Sequence, residues 1–234
     1  MDPHARHRFY TSRYRVAKIA DDLGLKLRYG TQDDYILDEI AIRDVYRLGS
    51  ISLPSNACVI DIGANVGIFS AEVLYRWPSA QVTGFELDDN NASIATAHLA
   101  GRARIVRVAI VGDHVPTGYR RDPGNSGGHM LSFDAVHGQL PAPPSLTLAQ
   151  AFDLAGCPTV DLLKMDVEGA EYDILQRAAR DGTLGRVRRV VMEWHEHAPG
   201  QSGESLVALL RGAGFVVESV RENIYIGTIF ASRP

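Results

Sequence analysis

Short apolar runs alternate with segments of helical periodicity from residue 57 to the end of the chain. The apolar runs predict buried strands at 57–62, 81–86, 104–111, 160–165 and 187–193. Most segments between these runs repeat apolar side chains at helical spacing. Alternation of this kind is typical of parallel strands with helices packed on both faces of the sheet.

The last two apolar runs depart from this alternation. They cover 215–220 and 224–231, and only residues 221–223 separate them. So short a connection allows only an antiparallel hairpin, because a parallel return needs a longer crossover. The predicted fold class is therefore α/β, a doubly wound and mostly parallel sheet with a C-terminal antiparallel hairpin.

The segment before the first predicted strand has a helical pattern. We expect residues 1–56 to form a helical extension that packs on a core domain of residues 57–234. The apolar side chains available for that packing are Ile36, Ile40, Val45 and Leu48.

A second segment, residues 112–145, combines proline and glycine with little periodicity, which is typical of a functional or a disordered loop. Residues 122–129 offer no apolar side chain that could offset the entropy lost on ordering. We predict that residues 112–132 form a mobile lid at the ligand-binding edge of the sheet. A plain disordered excursion is the alternative.

The composition narrows the class of protein. The chain has 234 residues, 45% of them hydrophobic, and a formal net charge of −4, which argues against a nucleic-acid partner. No apolar run approaches the length of a membrane span, and no signal peptide is evident, so a cytoplasmic location is expected. Cys58 and Cys157 have no metal-ligand spacing and are predicted to be separate reduced thiols.

The first predicted strand ends in a glycine-containing turn, Asp61-Ile62-Gly63-Ala64-Asn65-Val66-Gly67. Ligands of open parallel sheets bind beyond the carboxyl ends of the strands, where glycine lets the backbone approach them closely. The nicotinamide pattern G-x-G-x-x-G is absent, so the ligand need not contain a pyrophosphate. An acidic strand end suits an ammonium group, such as the one at the methionine end of S-adenosylmethionine. A tight turn with an incidental aspartate is the alternative.

Glu86 ends the second predicted strand. In folds of this type a carboxylate at that position accepts hydrogen bonds from ribose hydroxyls. The pair of Asp61 and Glu86, each at a strand end, favours a nucleoside ligand over two ordinary solvated residues.

The fourth predicted strand passes into a helix through Lys164-Met165-Asp166-Val167-Glu168-Gly169-Ala170-Glu171. Strand alternation places Lys164 and Asp166 on one side, with Asp166 facing the binding cleft. Glu168 and Glu171 also suit the positive end of the following helix, which is a purely structural role.

The fifth predicted strand ends in Glu193, Trp194 and His195, and Glu193 and His195 share a face. Asp166 and His195 are the candidates for a general base, with Glu193 as an orienting group. Two histidines and two glutamates also occur together in a metal site, but the signal at a strand tip is weak, and no metal is expected.

Together these segments resemble the FkbM family of methyltransferases over roughly residues 57–197. The most specific part of the resemblance is the string from Lys164 to Glu171. The resemblance implies S-adenosylmethionine as the methyl donor and, most often, O-methylation of a sugar, lipid or secondary metabolite. The cofactor-binding residues that it implies are Asp61, Gly63, Ala64, Asn65, Gly67, Glu86, Leu87 and Ala109.

The expected partner is a small-molecule acceptor, and the oligomeric state is left open, with a homodimer as one alternative. Methylation of nitrogen or of a carboxyl group on a small molecule or peptide stays an alternative activity. A non-catalytic nucleoside-binding module is the alternative from another class. A nucleic-acid amino-methyltransferase is disfavoured, because the Asp/Asn-Pro-Pro-aromatic string of such enzymes is replaced here by Asp166-Val167-Glu168-Gly169.

Overall fold

A seven-stranded sheet forms the centre of the molecule in the computed structural model. The structure describes residues 14–122, 125–134, 137, 139–197 and 201–234. The strands of this sheet are β1 (Cys58–Ile62), β2 (Gln81–Glu86), β3 (Arg104–Arg107), β9 (Leu162–Met165), β10 (Arg189–His195), β11 (Val216–Arg221) and β12 (Ile226–Ser232). Their spatial order is β11-β12-β10-β9-β1-β2-β3.

Parallel pairing joins β3, β2, β1, β9 and β10, as the strand–helix alternation predicts. The C-terminal hairpin is confirmed, because β11 and β12 pair antiparallel. Its placement was not predicted: β12 lies between β10 and β11 and pairs antiparallel with both. The strand that follows the hairpin turn therefore occupies an inner position, and β11 becomes the edge.

The helices lie before, between and after these strands. They are α1 (residues 14–23), α2 (Asp33–Leu37), α3 (Ile68–Arg76), α4 (Asp89–Leu99), α5 (Leu148–Ala155), α6 (Glu171–Arg180) and α7 (Gly203–Gly212). Asp88 caps α4 by accepting from the backbone N–H groups of Asn90 and Asn91, so this helix begins where its acidic residues predict.

Each face of the sheet has its own apolar core. On one face Ile60 and Leu163 pack with Phe152 of α5 and Leu175 of α6. On the other face the side chains alternate outward from the same strands, so that Val59 and Leu162 meet α3. This arrangement is the doubly wound architecture expected from the sequence.

The N-terminal segment covers the second face. Ile40 and Leu48 are buried in its core, and Ile36 and Val45 pack against it while partly buried. Residues 38–42 form a π-helical turn directly after α2. These contacts agree with packing of an N-terminal extension, whereas its division from residues 57–234 as a separate unit stays a prediction. Residues 1–13 lie outside the described part of the chain.

Two expectations about strands are wrong. The run 104–111 does not form one strand, because β4 (Ala109–Ile110) leaves the main sheet and pairs with β8 (Ser145–Leu146). Residues 112–145 are not free of regular structure either. Within them β5 (Gly118–Arg120) pairs with both β6 (Met130–Ser132) and β7 (Leu140–Pro141). These strands are too short to produce a readable alternation in the sequence.

The prediction of two separate thiols is also wrong. Cys58 and Cys157 form a disulfide across 99 residues of sequence, with their Cα atoms 6.3 Å apart. Cys58 lies at the start of β1, and Cys157 follows α5, which packs on the same face. Sequence spacing carries no information about a pairing that the fold creates.

Candidate active site

The turn between β1 and α3 presses against the end of β9. Gly63 has a φ of +77°, and a Cβ at this position would collide with the backbone carbonyl oxygen of Asp166. Any other residue would therefore have to push the two strand ends apart. Gly67, with a φ of +86°, precedes α3 and packs against Ala95 and Leu99 of α4.

Asp61 lies beneath this turn and is fully buried. Its Oδ2 accepts a hydrogen bond of 2.7 Å from Ser70, and its Oδ1 lies 3.4 Å from Nζ of Lys164. Lys164 in turn donates to the carbonyl oxygen of Gly63 at 2.6 Å. Burial alone would lower the pKa of Lys164, but the carboxylates of Asp61 and Asp166 outweigh it and raise that pKa. The lysine is therefore charged, and Asp61 is committed to holding it and the turn.

Glu86 fastens the same turn to the second strand. Its carboxylate accepts hydrogen bonds of 2.8 Å from the backbone N–H groups of Asn65 and Asp88. Burial raises the pKa of Glu86 to about 7, although these two N–H groups favour the ionised form. Each oxygen keeps a second lone pair, which is free to accept from a ligand hydroxyl.

A cavity of about 430 Å³ opens above these residues at the carboxyl edge of the sheet. It brings together nearly all of the residues selected from the sequence. The ones that line it are Gly63, Ala64, Asn65, Glu86, Leu87, Ala109, Asp166, Glu193 and His195. Asp61 and Gly67 are not in its wall, and they support the turn from behind.

The fit of this cavity to a nucleoside-bearing cofactor can be tested at Asn65. Its Oδ1 is buried and has no hydrogen-bond partner among the described residues, although Asn65 lines the cavity. A buried unpaired carbonyl is costly unless a ligand donates to it. Together with the unused lone pairs of Glu86, this atom provides acceptors for the hydroxyl or ammonium groups of a cofactor.

An acidic cluster forms the neighbouring wall, where β9 and β10 end. Nδ1 of His195 lies 3.1 Å from Oε1 of Glu171, and both residues are buried. Nε2 of His195 lies 3.6 Å from Oε2 of Glu168 and 3.6 Å from Oε1 of Glu193. The side chain of Asp166 completes the cluster and is partly exposed to the cavity.

Burial and neighbouring charges shift the pKa values of three groups in this wall, Glu193, Glu168 and His195. Burial, together with the charge of Asp166, raises the pKa of Glu193 to about 8. Burial raises that of Glu168 to about 7, although the nearby imidazole favours the ionised form. Burial by itself would lower the pKa of His195, but the hydrogen bond and the charge of Glu171 raise it to about 10. Perturbed groups gathered in a cleft are typical of a functional site.

Tyr46 and Glu168 are among the residues of the site that had not been selected from the sequence. The hydroxyl of Tyr46 donates to Oδ2 of Asp166 at 3.3 Å, across 120 residues of sequence, and no local pattern indicates such a contact. Glu168 had been placed at a helix end, but its φ of +53° turns it toward His195 before α6 begins. The signal that the sequence offered for this backbone conformation is that Glu168 is a polar residue directly before Gly169.

The predicted lid segment also reaches the cavity. Residues Asn125, Gly127, His129 and Leu131 line its wall. The segment is held at the start of α4, where Asn91 donates to the carbonyl oxygen of Ser126 at 3.0 Å and Arg121 pairs with Asp88. Pro123 and Gly124 lie outside the described residues. The position agrees with a lid, and mobility stays a prediction.

This fold and site define a class of enzyme. A mostly parallel sheet carries a glycine turn after its first strand and a buried acidic residue at the end of its second, and both meet one cavity. The protein is an S-adenosylmethionine-dependent methyltransferase with the class I fold. The methyltransferase domain of METTL16 has a similar fold, with a TM-score of 0.52 and 14% sequence identity over 92% of this chain and 76% of that one.

The family follows from the sequence comparison. The model of the methyltransferase FkbM domain matches residues 61–217, and the chain belongs to this family. A similar protein is the 31-O-demethyl-FK506 methyltransferase FkbM of Streptomyces tacrolimicus, which is 27% identical over 83% of this chain and 86% of its own length. The AMB antimetabolite synthetase AmbE of Pseudomonas aeruginosa is 28% identical over 87% of this chain, which spans only 12% of that protein.

One finding bears on the expectation about membranes. Among the described residues, no helix combines the length and the apolar character required to cross a bilayer.

Proposed function

We propose that this protein transfers the methyl group of S-adenosylmethionine to a hydroxyl of a small molecule. The observation that carries the proposal is the shared cavity, in which the glycine turn and Glu86 face Asp166, Glu193 and His195. The name of the Streptomyces relative, 31-O-demethyl-FK506 methyltransferase, supports an oxygen as the methylated atom. The net charge of −4 supports a small-molecule acceptor over nucleic acid.

The donor half of the cavity would hold the cofactor through groups already described. Glu86 accepts from the ribose hydroxyls, and the unpaired Oδ1 of Asn65 accepts from the methionine end. The backbone at Gly63 and Ala64 approaches the ligand closely, because the turn carries no bulky side chain. Leu87 and Ala109 offer apolar contact to the adenine ring. Asp61 acts indirectly, through Lys164 and the turn.

The bound cofactor supplies an activated methyl group on a sulfonium. Held by Glu86, Asn65 and the turn at Gly63, the cofactor would supply this methyl group to the acceptor oxygen and would leave as a neutral thioether that keeps the electron pair of the carbon–sulfur bond. The protein's main contribution is to hold the two reactants in line, and such positioning can supply roughly 7–11 kcal/mol.

The acceptor also loses its hydroxyl proton. Asp166 is the proposed proton acceptor, since its carboxylate is open to the cavity while Tyr46 and Lys164 hold it in place. His195 is the second candidate, because Nε2 faces the cluster while Glu171 holds Nδ1. Its pKa of about 10 keeps the ring protonated at neutral pH, which ranks it behind Asp166. Glu193 is proposed to orient His195.

Two measurements test this function. Calorimetry should show that the protein binds S-adenosylhomocysteine and not NAD. A panel of hydroxylated sugars, lipids and macrolides, each with a matched deoxy compound, should then give a methylated product only when the hydroxyl is present. If the protein does not bind S-adenosylhomocysteine, S-adenosylmethionine is excluded as the donor. If a deoxy compound is methylated at a nitrogen or at a carboxyl group, that group replaces the hydroxyl as the proposed target.

A further inference from the structure

Three side chains in the acidic wall lie close enough together to share one ion. One ligand atom from each of Asp166, Glu168 and His195 can be chosen so that all three lie within 4.8 Å of one another. Oxygen atoms on opposite sides of a small divalent cation are about 4.2 Å apart, twice the usual bond length of about 2.1 Å. Small rotations of the side chains would therefore close the set around a cation.

His195 is the observation that separates this cluster from an ordinary acidic patch. Its side chain is 95% buried, because only 5% of it is exposed. Nε2 makes no hydrogen bond within the described part of the chain, and the carboxylate oxygens of Glu168 and Glu193 lie beyond hydrogen-bond distance at 3.6 Å. Nε2 of this buried side chain thus faces two carboxylates at ion-pair distance without a hydrogen bond to either of them.

The other ring nitrogen is held as it is in metal sites. Nδ1 donates to Glu171, which is fully buried and also accepts from the backbone N–H of Val167 at 3.2 Å. Metal-binding histidines usually donate their second N–H to a carboxylate, which fixes the ring and directs the free lone pair at the ion. Glu171 gives His195 this orientation. Because the pKa of His195 is about 10, Nε2 carries a proton in the free protein, and a cation would take the place of that proton.

The negative charges around His195 also favour a bound cation. Asp166, Glu168 and Glu193 converge on the cavity, and Lys164, whose Nζ is 3.9 Å from Asp166, is already engaged with Asp61. A divalent cation would replace the single charge of the protonated His195 with two positive charges and so relieve the repulsion between the carboxylates further.

We propose that Asp166, Glu168 and His195 form a binding site for a divalent cation in the acceptor half of the cavity. A set of two carboxylates and one imidazole suits Mn²⁺, because the oxygen ligands are hard and the nitrogen is of intermediate softness. Glu193 lies beside this set and assists by charge.

The cation gives the acceptor a point of attachment. This step rests on the proposed function, since it places an acceptor oxygen beside the donor half of the same cavity. A cation with three protein ligands keeps positions open for the oxygen atoms of a substrate. It therefore favours acceptors whose hydroxyl has a second oxygen nearby, to which the same ion binds. Asp166 then binds the cation with one carboxylate oxygen and takes the hydroxyl proton with the other, whereas His195 acts as a ligand only.

The experiment measures Mn²⁺ binding directly. Protein freed of metal with EDTA is titrated with Mn²⁺ while electron paramagnetic resonance follows the signal of the free ion. We expect one site per chain in the wild type, weakened at least tenfold in Glu168→Gln and in His195→Ala. Glu196→Gln is the matched control, since it removes the same charge next to His195 but lies outside the cavity, and it should bind as the wild type does.

Binding of S-adenosylhomocysteine is measured on the same samples to separate this proposal from the proposed function. Glu168→Gln should keep the wild-type affinity for it, which also shows that the variant is folded. Failure of the wild type to bind Mn²⁺, or equal Mn²⁺ binding by Glu168→Gln, overturns the cation site while the methyltransferase assignment stands. If the wild type does not bind S-adenosylhomocysteine, the proposed function is overturned instead.

Discussion

Nδ1 of His195 lies 3.1 Å from Oε1 of Glu171, and both side chains are buried. The pair joins the end of β10 to the first residue of α6 and sets the direction in which the imidazole faces the cavity. Because both side chains are buried, each relies on the other as its polar partner.

Replacement of Glu171 tests this dependence. Removal of one partner from a buried ion pair leaves an uncompensated charge and typically costs about 3–5 kcal/mol. We expect Glu171→Ala to lower the free energy of unfolding by that amount in urea denaturation. Glu204→Ala is the control, because its pair with Arg221 is exposed and should have a far smaller effect. Equal losses in the two variants would contradict the role assigned to the buried pair.

Glu86 is predicted to hold the ribose of the cofactor. We expect Glu86→Ala to weaken S-adenosylmethionine binding by about 1.5–3 kcal/mol, the range for a hydrogen bond to a charged group. Isothermal calorimetry measures this directly. Glu72→Ala provides a comparison, since Glu72 pairs with Arg76 on α3 outside the cavity. Unchanged affinity in Glu86→Ala would remove Glu86 from the cofactor site.

The same residue predicts a pH dependence. The pKa of Glu86 is about 7 in the free protein, so it is increasingly protonated as the pH falls below that value. Ribose hydroxyls donate best to the ionised carboxylate of Glu86. Below pH 7, Glu86 must therefore lose a proton before the ligand binds well. Affinity for S-adenosylhomocysteine should therefore fall with decreasing pH, by up to about tenfold per pH unit. Glu86→Gln does not titrate and should lose this dependence, and a profile identical to the wild type would disprove the assignment.

The role of Asp166 and His195 is tested by single-turnover kinetics with an acceptor from the hydroxyl panel. Loss of the general base should lower the rate of methyl transfer by about 10²–10⁴-fold while cofactor affinity stays near normal. Asp166→Asn and His195→Ala are the variants to compare. Wild-type rates in both would show that positioning suffices or that the base lies elsewhere.

The segment 112–132 is predicted to close over the acceptor. Hydrogen exchange of its amides should slow when S-adenosylhomocysteine and an acceptor are both bound. Amides of β1 serve as the internal reference, because the strand is buried in every state. Equal exchange in the free and ternary states would assign acceptor recognition to the N-terminal segment, where Tyr46 already contacts Asp166.

The sequence by itself determined most strands of the main sheet and the edge of that sheet at which the site lies. Buried parallel strands are continuous apolar runs whose carboxyl ends meet at one edge, so the pattern alone placed Glu86, Asp166 and His195 together. The Gly63 turn was readable for the same reason, since a close backbone approach requires glycine.

Only the tertiary structure decided the contacts between distant segments. Tyr46 on Asp166, the Cys58–Cys157 disulfide and the inner position of β12 depend on packing of parts far apart in sequence. The surroundings of Asp61 were also decided by the tertiary structure. Its place in the cofactor site stays a prediction, and the structure adds that its fully buried carboxylate is stabilised by pairing with Lys164, because a buried charge needs a partner.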